Sequence, residues 1–174
     1  MPTLHVEPLT RAEFAPFGDV IEPAAAREVV KINDGTATRF DDLARVDCGE
    51  AGGRPILSIF RAAPRPLPFV VAMLERHPLG SQAFVPLGPA PYLVVVAPDP
   101  DGAPRAFLAA EGQGVNFHRG TWHHPLIALS QSSDFLVIDR GGPGANCDER
   151  PVRACLITSD AVAALALPSL HPGG

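Results

Sequence analysis

Gly112-Gln113-Gly114-Val115-Asn116-Phe117-His118-Arg119-Gly120-Thr121-Trp122-His123-His124-Pro125 is the stretch on which the reading of this chain turns. It holds three of the six histidines beside the single tryptophan, with glycine on one side and proline on the other. Neither end suits a helix, so the segment reads as strand and turn. Successive strand residues face opposite sides of a sheet. His123 and His124 therefore cannot share one face: one points inward, and the other packs outside or under a loop. A lone histidine is more often a satisfied core group, but three together near neutral pKa favour chemistry. Trp122 reads first as a core seal, with a water-excluding pocket wall as the competing role.

Working outward, a second histidine lies in Glu75-Arg76-His77-Pro78-Leu79-Gly80-Ser81-Gln82-Ala83-Phe84. His5 and His171, near the ends, read as solvated. Twenty Pro and sixteen Gly, spread along all 174 residues, exclude long helices. Short β-branched or aromatic runs remain at 55–60, 83–87, 92–97, 105–108, 126–129, 135–138 and 152–157. Many short strands at this spacing predict a sandwich or barrel. The 92–97 run is either an apolar edge open to a partner or interior wall. Pro98-Asp99-Pro100-Asp101-Gly102 predicts a hairpin connection. Three short helices are expected: one after the Thr10-x-x-Glu13 capping box, one over 68–76 with Pro at its start, and one over 160–167 capped by Thr158 or Ser159. Residues 1–174 form one domain, with 168–174 a frayed tail.

Composition limits the partners. Hydrophobic residues make up 46% and charged residues 19%, enough for a real core. A net charge of −5, one lysine and scattered arginines argue against nucleic acid. No apolar run approaches membrane-spanning length. Three cysteines without a C-x-x-C spacing, and an N-terminus without a signal-like segment, predict a reduced, cytoplasmic protein.

The two histidine segments resemble the paired motifs of the cupin superfamily. Glu75, His77, Gln82 and Gly88 occupy the positions of the first motif, and His118, Gly120 and His123 those of the second. Glu75 and Gln82 depart from the usual histidine and glutamate. The resemblance implies a mainly β fold, a cupin-like antiparallel double-stranded β-barrel with a few short helices and the site in its mouth. A closer resemblance runs from about residue 4 to 148. Asn33-Asp34-Gly35 with Arg39, Ser58-Ile59-Phe60-Arg61-Ala62, both histidine segments, and Asp134-Phe135-Leu136-Val137-Ile138-Asp139-Arg140-Gly141 are similar to the ureidoglycolate lyase family.

That family splits ureidoglycolate into glyoxylate and urea in allantoin breakdown. The resemblance implies a homodimer and a divalent metal, nickel in some accounts of the family. The reaction needs loss of a hydroxyl proton, protonation of the departing nitrogen and a fixed carboxylate. His123 or His118 is expected to take the hydroxyl proton, and Glu75 or His77 to protonate nitrogen. Arg61 or Arg140 is expected to hold the carboxylate. For Arg61 the competing reading is a solvent-facing strand residue. For Arg140 it is an ion pair with Asp139 or Asp134. Gln82 would bond the ureido group, while Asn33 and Arg39 would close over the site. A metal would use His77, His123, Glu75 and, as a poor ligand, Gln82. Another metal-dependent cupin enzyme, an isomerase or dioxygenase, and a non-catalytic binding cupin are the alternatives.

Overall fold

A computed structural model gives the fold and describes residues 1–166. In chain order the elements are β1 (Val6–Pro8), α1 (Arg11–Phe14), β2 (Gly18–Ile21), β3 (Glu28–Ile32), β4 (Ala37–Asp41), β5 (Arg54–Ala62), β6 (Phe69–Arg76) and β7 (Gln82–Pro86). There follow β8 (Tyr92–Ala97), β9 (Arg105–Ala109), β10 (Gly114–Phe117), β11 (Trp122–His123), β12 (Ile127–Ala128), β13 (Ser133–Gly141), β14 (Asp148–Ile157) and α2 (Ser159–Ala166). One sheet runs β1-β9-β8-β11-β6-β14, with β12 also on β8; the other runs β2-β10-β7-β13-β5. Pairing is antiparallel except where β1 joins β9. The expected mainly β, cupin-like barrel is present.

Strand alternation builds two cores. Phe84, Val96, Val115, Phe117, Phe135 and Val137 fill the space between the sheets, closed at one side by Phe14 of α1. Val71, Leu74, Val95, Trp122 and Ile157 form a second core on the other face of the larger sheet, where Val162 and Leu165 of α2 pack. β8 feeds both: Tyr92, Val94 and Val96 face the first, Leu93, Val95 and Ala97 the second. Its uninterrupted apolar run is thus that of a central strand covered on both faces, not of an open edge.

Local signals explain the ends. Thr10 Oγ1 accepts from Glu13 N at 3.3 Å, as the capping box predicts, but the Glu13 carboxylate turns to Arg105 at 2.6 Å. Thr158 Oγ1 accepts from Ala161 N and caps α2. Asn33-Asp34-Gly35 makes the β3–β4 turn at positive φ, which these residue types tolerate. The helix expected over 68–76 is corrected: this segment is β6, laddered to β14 and β11. Val70, Val71 and Leu74 satisfy helical spacing, yet a short β-branched run fits a strand equally, and pairing on both sides decides it. The expected tail at 168–174, like His171, lies outside the described residues. No helix of the described residues is long and apolar enough to cross a membrane.

Candidate active site

The two sequence-distant histidine segments meet at one end of the barrel. β11 pairs β6 so that His123 lies directly opposite Glu75, and β14 brings Glu149 opposite Glu75 on its other side. Directly paired residues share a face, so His123 and Glu75 both look into the mouth. His77 follows β6 by one residue and is tied down when its backbone oxygen accepts from Gly120 N at 2.9 Å. The His77 and His123 ring centroids are 5.3 Å apart. His123 is fully buried and stacked on Phe117 at 4.1 Å, with an interplanar angle of 10°.

Both imidazoles are oriented in the same way. Nδ1 of His77 meets Asn146 O at 2.6 Å, and Nδ1 of His123 meets Thr121 O at 2.9 Å. A carbonyl only accepts, so each Nδ1 donates to its carbonyl and each ring turns Nε2 toward the mouth. Those Nε2 atoms are buried without a hydrogen-bond partner and point at Glu75 Oε1, at 3.9 Å from His77 and 3.5 Å from His123. Burial works to raise the Glu75 pKa. Attraction to the His123 ring, and then to His77, outweighs that and holds the carboxyl below its ordinary value. Three lone-pair donors thus converge on one point, an arrangement that calls for a proton or a cation between them.

The opposite wall comes from the smaller sheet. Gln82 pairs Phe117 and faces the mouth, nine-tenths buried, with Oε1 unpartnered. Asp139 follows Phe135 and Val137 on the inward face of β13, and its Oδ1 is also buried and unpartnered. Arg54 opens β5 opposite Gly141, on the same face as Ile56, and makes no ion pair among the described residues. On the near side, Cys147 Sγ lies 4.0 Å from Glu75 Oε2, and Glu149 joins them in a second possible donor group. A groove of about 810 Å³, lined in part by Cys147, Arg76 and Trp122, adjoins the cluster there. Asp139, Arg54, Cys147 and Glu149 were not singled out from sequence. Strand alternation from Phe135 would have found the first.

Other expected site residues lie elsewhere. His118 is half exposed on the outer side, with Nε2 3.2 Å from Asp19 Oδ1. Arg61 forks onto Asp134 at 2.7 and 2.8 Å, at the end of β13 away from the histidines. Arg140 faces the opposite side of β13 from Asp139. Its Nε and Nη2 donate to Glu50 O, Ala51 O and Pro143 O, so neither expected aspartate pairs with it. It is a buried strut that folds the 50–53 and 142–143 loops against the barrel. Asn33 and Arg39 sit on the exposed β3–β4 hairpin, where Arg39 pairs with Asp41 at 2.7 Å. His124 packs edge-on to Phe69 at 5.2 Å, with burial lowering its pKa. Trp122 belongs to the second core, under the Arg76 guanidinium at 4.8 Å.

Glu75, His77 and His123 can hold a metal ion, since their donor atoms lie within 4.8 Å of one another. Carbonyl-held Nδ1 atoms behind bare Nε2 atoms are the outer support such ligands usually have. Two curled sheets closing on an imidazole–carboxylate mouth define an enzyme of the cupin-like class. The family model described as ureidoglycolate lyase matches residues 1–158, and the chain belongs to that family. It is 57% identical over 169 residues to the ureidoglycolate lyase of Burkholderia mallei, covering 95% of this chain and 99% of the relative. It is 55% identical over 155 residues to that of Burkholderia cepacia, covering 87% of each chain. The Pseudomonas syringae pv. tomato enzyme of that name is 52% identical over 153 residues, covering 86% of this chain and 89% of its own.

Proposed function

We propose that the chain eliminates urea from ureidoglycolate to give glyoxylate, and that Glu75, His77 and His123 carry the proton transfers. The observation behind this reading is the pair of bare, buried Nε2 atoms facing one ionised carboxylate. The reacting carbon bears a hydroxyl, a carboxylate and a ureido nitrogen. His123 Nε2 takes the hydroxyl proton, and the O–H electron pair forms the new C=O. The C–N pair leaves with nitrogen, which receives the proton that His123 took up, relayed across the Glu75–His77 side of the cluster. Proton loss and gain balance, and no water enters. An acid–base pair near neutral pH suits this exchange. Phe117 stacked on His123 keeps water from that ring's face. Arg54, on the inward face of β5, would hold the substrate carboxylate in the role expected of Arg61 or Arg140.

A divalent ion, nickel in our reading, fits Nε2 of His77, Nε2 of His123 and the Glu75 carboxylate. When bound it would make the substrate hydroxyl more acidic. The homodimer has apolar surface to use: Leu57 and Ile59 are 70% and 55% exposed on β5, an edge strand. We place the enzyme in the cytoplasm. The test is turnover of ureidoglycolate with glyoxylate, urea and ammonia all measured. Equimolar glyoxylate and urea support the lyase. Ammonia in place of urea would indicate an amidohydrolase instead.

A further inference from the structure

We propose that Asp139 contacts the substrate and, with Gln82, reads its nitrogen end by accepting hydrogen bonds from the ureido N–H groups. The assignment rests on the activity proposed above. β13 runs without a bulge from Ser133 to Gly141, so Asp139 shares the inward face of Phe135 and Val137. Ile138 pairs Ala83, which sets Asp139 beside Gln82; Gln82 pairs Phe117, and Phe117 stacks on His123. The register therefore sets Asp139 and Gln82 side by side on the wall that faces the reacting imidazole.

Chemistry selects the ligand group. Asp139 Oδ1 and Gln82 Oε1 are both acceptors, both buried and both without a donor from the protein. Leaving such atoms unmade is costly, so a fold that keeps two side by side on the inward face of one sheet is matched to incoming N–H groups. Arg140, next in sequence, gives no relief. It lies on the other face of the strand with its Nε and Nη2 donors taken by carbonyls. The ureido group carries three N–H bonds and no negative charge, which fits an acceptor-only carboxylate beside an amide oxygen. The carboxylate and hydroxyl of the substrate then fall toward Arg54 and the histidines. A site built to bond N–H rejects analogues that lack it, so this wall sets selectivity.

The test is product inhibition of Asp139→Asn and Asp139→Val, with urea and glyoxylate as separate probes, plus thermal melting. The proposal expects the inhibition constant for urea and the KM for ureidoglycolate to rise about tenfold or more, with glyoxylate inhibition and melting temperature held. The valine variant should melt no lower than wild type, because it removes an unmade buried acceptor. Unchanged urea inhibition in both variants would overturn the proposal. So would a lower melting temperature with both products weakened alike, which marks a structural residue. A wild-type protein that forms no glyoxylate would overturn the activity itself, before any variant is compared.

Discussion

Replacing His123 by Phe separates the chemistry of this imidazole from its packing. Phenyl keeps the flat ring stacked on Phe117 at 4.1 Å but carries neither nitrogen. The variant loses the Nδ1–H bond to Thr121 O, worth about 1 kcal/mol net. It also removes a buried Nε2 with no partner, which relieves a penalty of about 1–3 kcal/mol. The two effects nearly cancel. At about 2–4 °C per kcal/mol for a domain of this size, the melting temperature should stay within about 4 °C of wild type, on either side. The rate should not survive. A positioned general base contributes about 10²–10⁴-fold, so kcat for glyoxylate release should fall by that factor, or about 3–5 kcal/mol of barrier. Melting curves and a continuous glyoxylate assay on the same preparation suffice. A kcat within about tenfold of wild type, with the fold intact, would refute the role of His123 as base.

Four further outcomes follow from the same structure. Wild-type protein should bind one divalent ion per chain, read by metal analysis after gel filtration, and His77→Ala should lose it. Arg140→Lys should cost about 2–3 kcal/mol in denaturant unfolding, because an ammonium cannot reproduce the planar fork that spreads Nε and Nη2 over three carbonyls, while KM stays unchanged. Phe135→Ala, cut from the centre of the first core, should cost about 3–5 kcal/mol and lower the melting temperature by about 10 °C or more. Glu7 is held below its ordinary pKa first by its hydrogen bond to Arg105. The stability it adds is therefore present above its unfolded pKa and is lost as pH falls through the lower folded value. Glu7→Gln should lower the melting temperature by about 1–3 °C at pH 7, and the gap should close in acid.

The fold was legible because proline and glycine left only short runs, and those runs became β5, β7, β8, β9, β13 and β14. The 68–76 segment misled because a period-two strand and a period-3.6 helix share Val70, Val71 and Leu74 as apolar positions. At the site, the two histidine segments could be read as the chemical centre from their residue types alone. The pairing of His123 with Glu75 is a long-range register that no local pattern encodes. Arginines were harder. Arg61 and Arg140 look alike in sequence, but one is forked on Asp134 in solvent and the other is buried under carbonyls of a loop ninety residues away. Asp139 was hidden by its neighbour: beside Arg140 it reads as half of an ion pair, yet the strand sends the two to opposite faces.

Turnover by this enzyme depends on the two bare imidazole nitrogens in the mouth performing the proton transfers. The direct measurement is single-turnover release of urea by a folded His77→Asn, His123→Phe double variant beside each single variant. We expect the double to be about as slow as the worse single, because the two act as one unit. Urea release by the double variant at the wild-type rate would contradict the account.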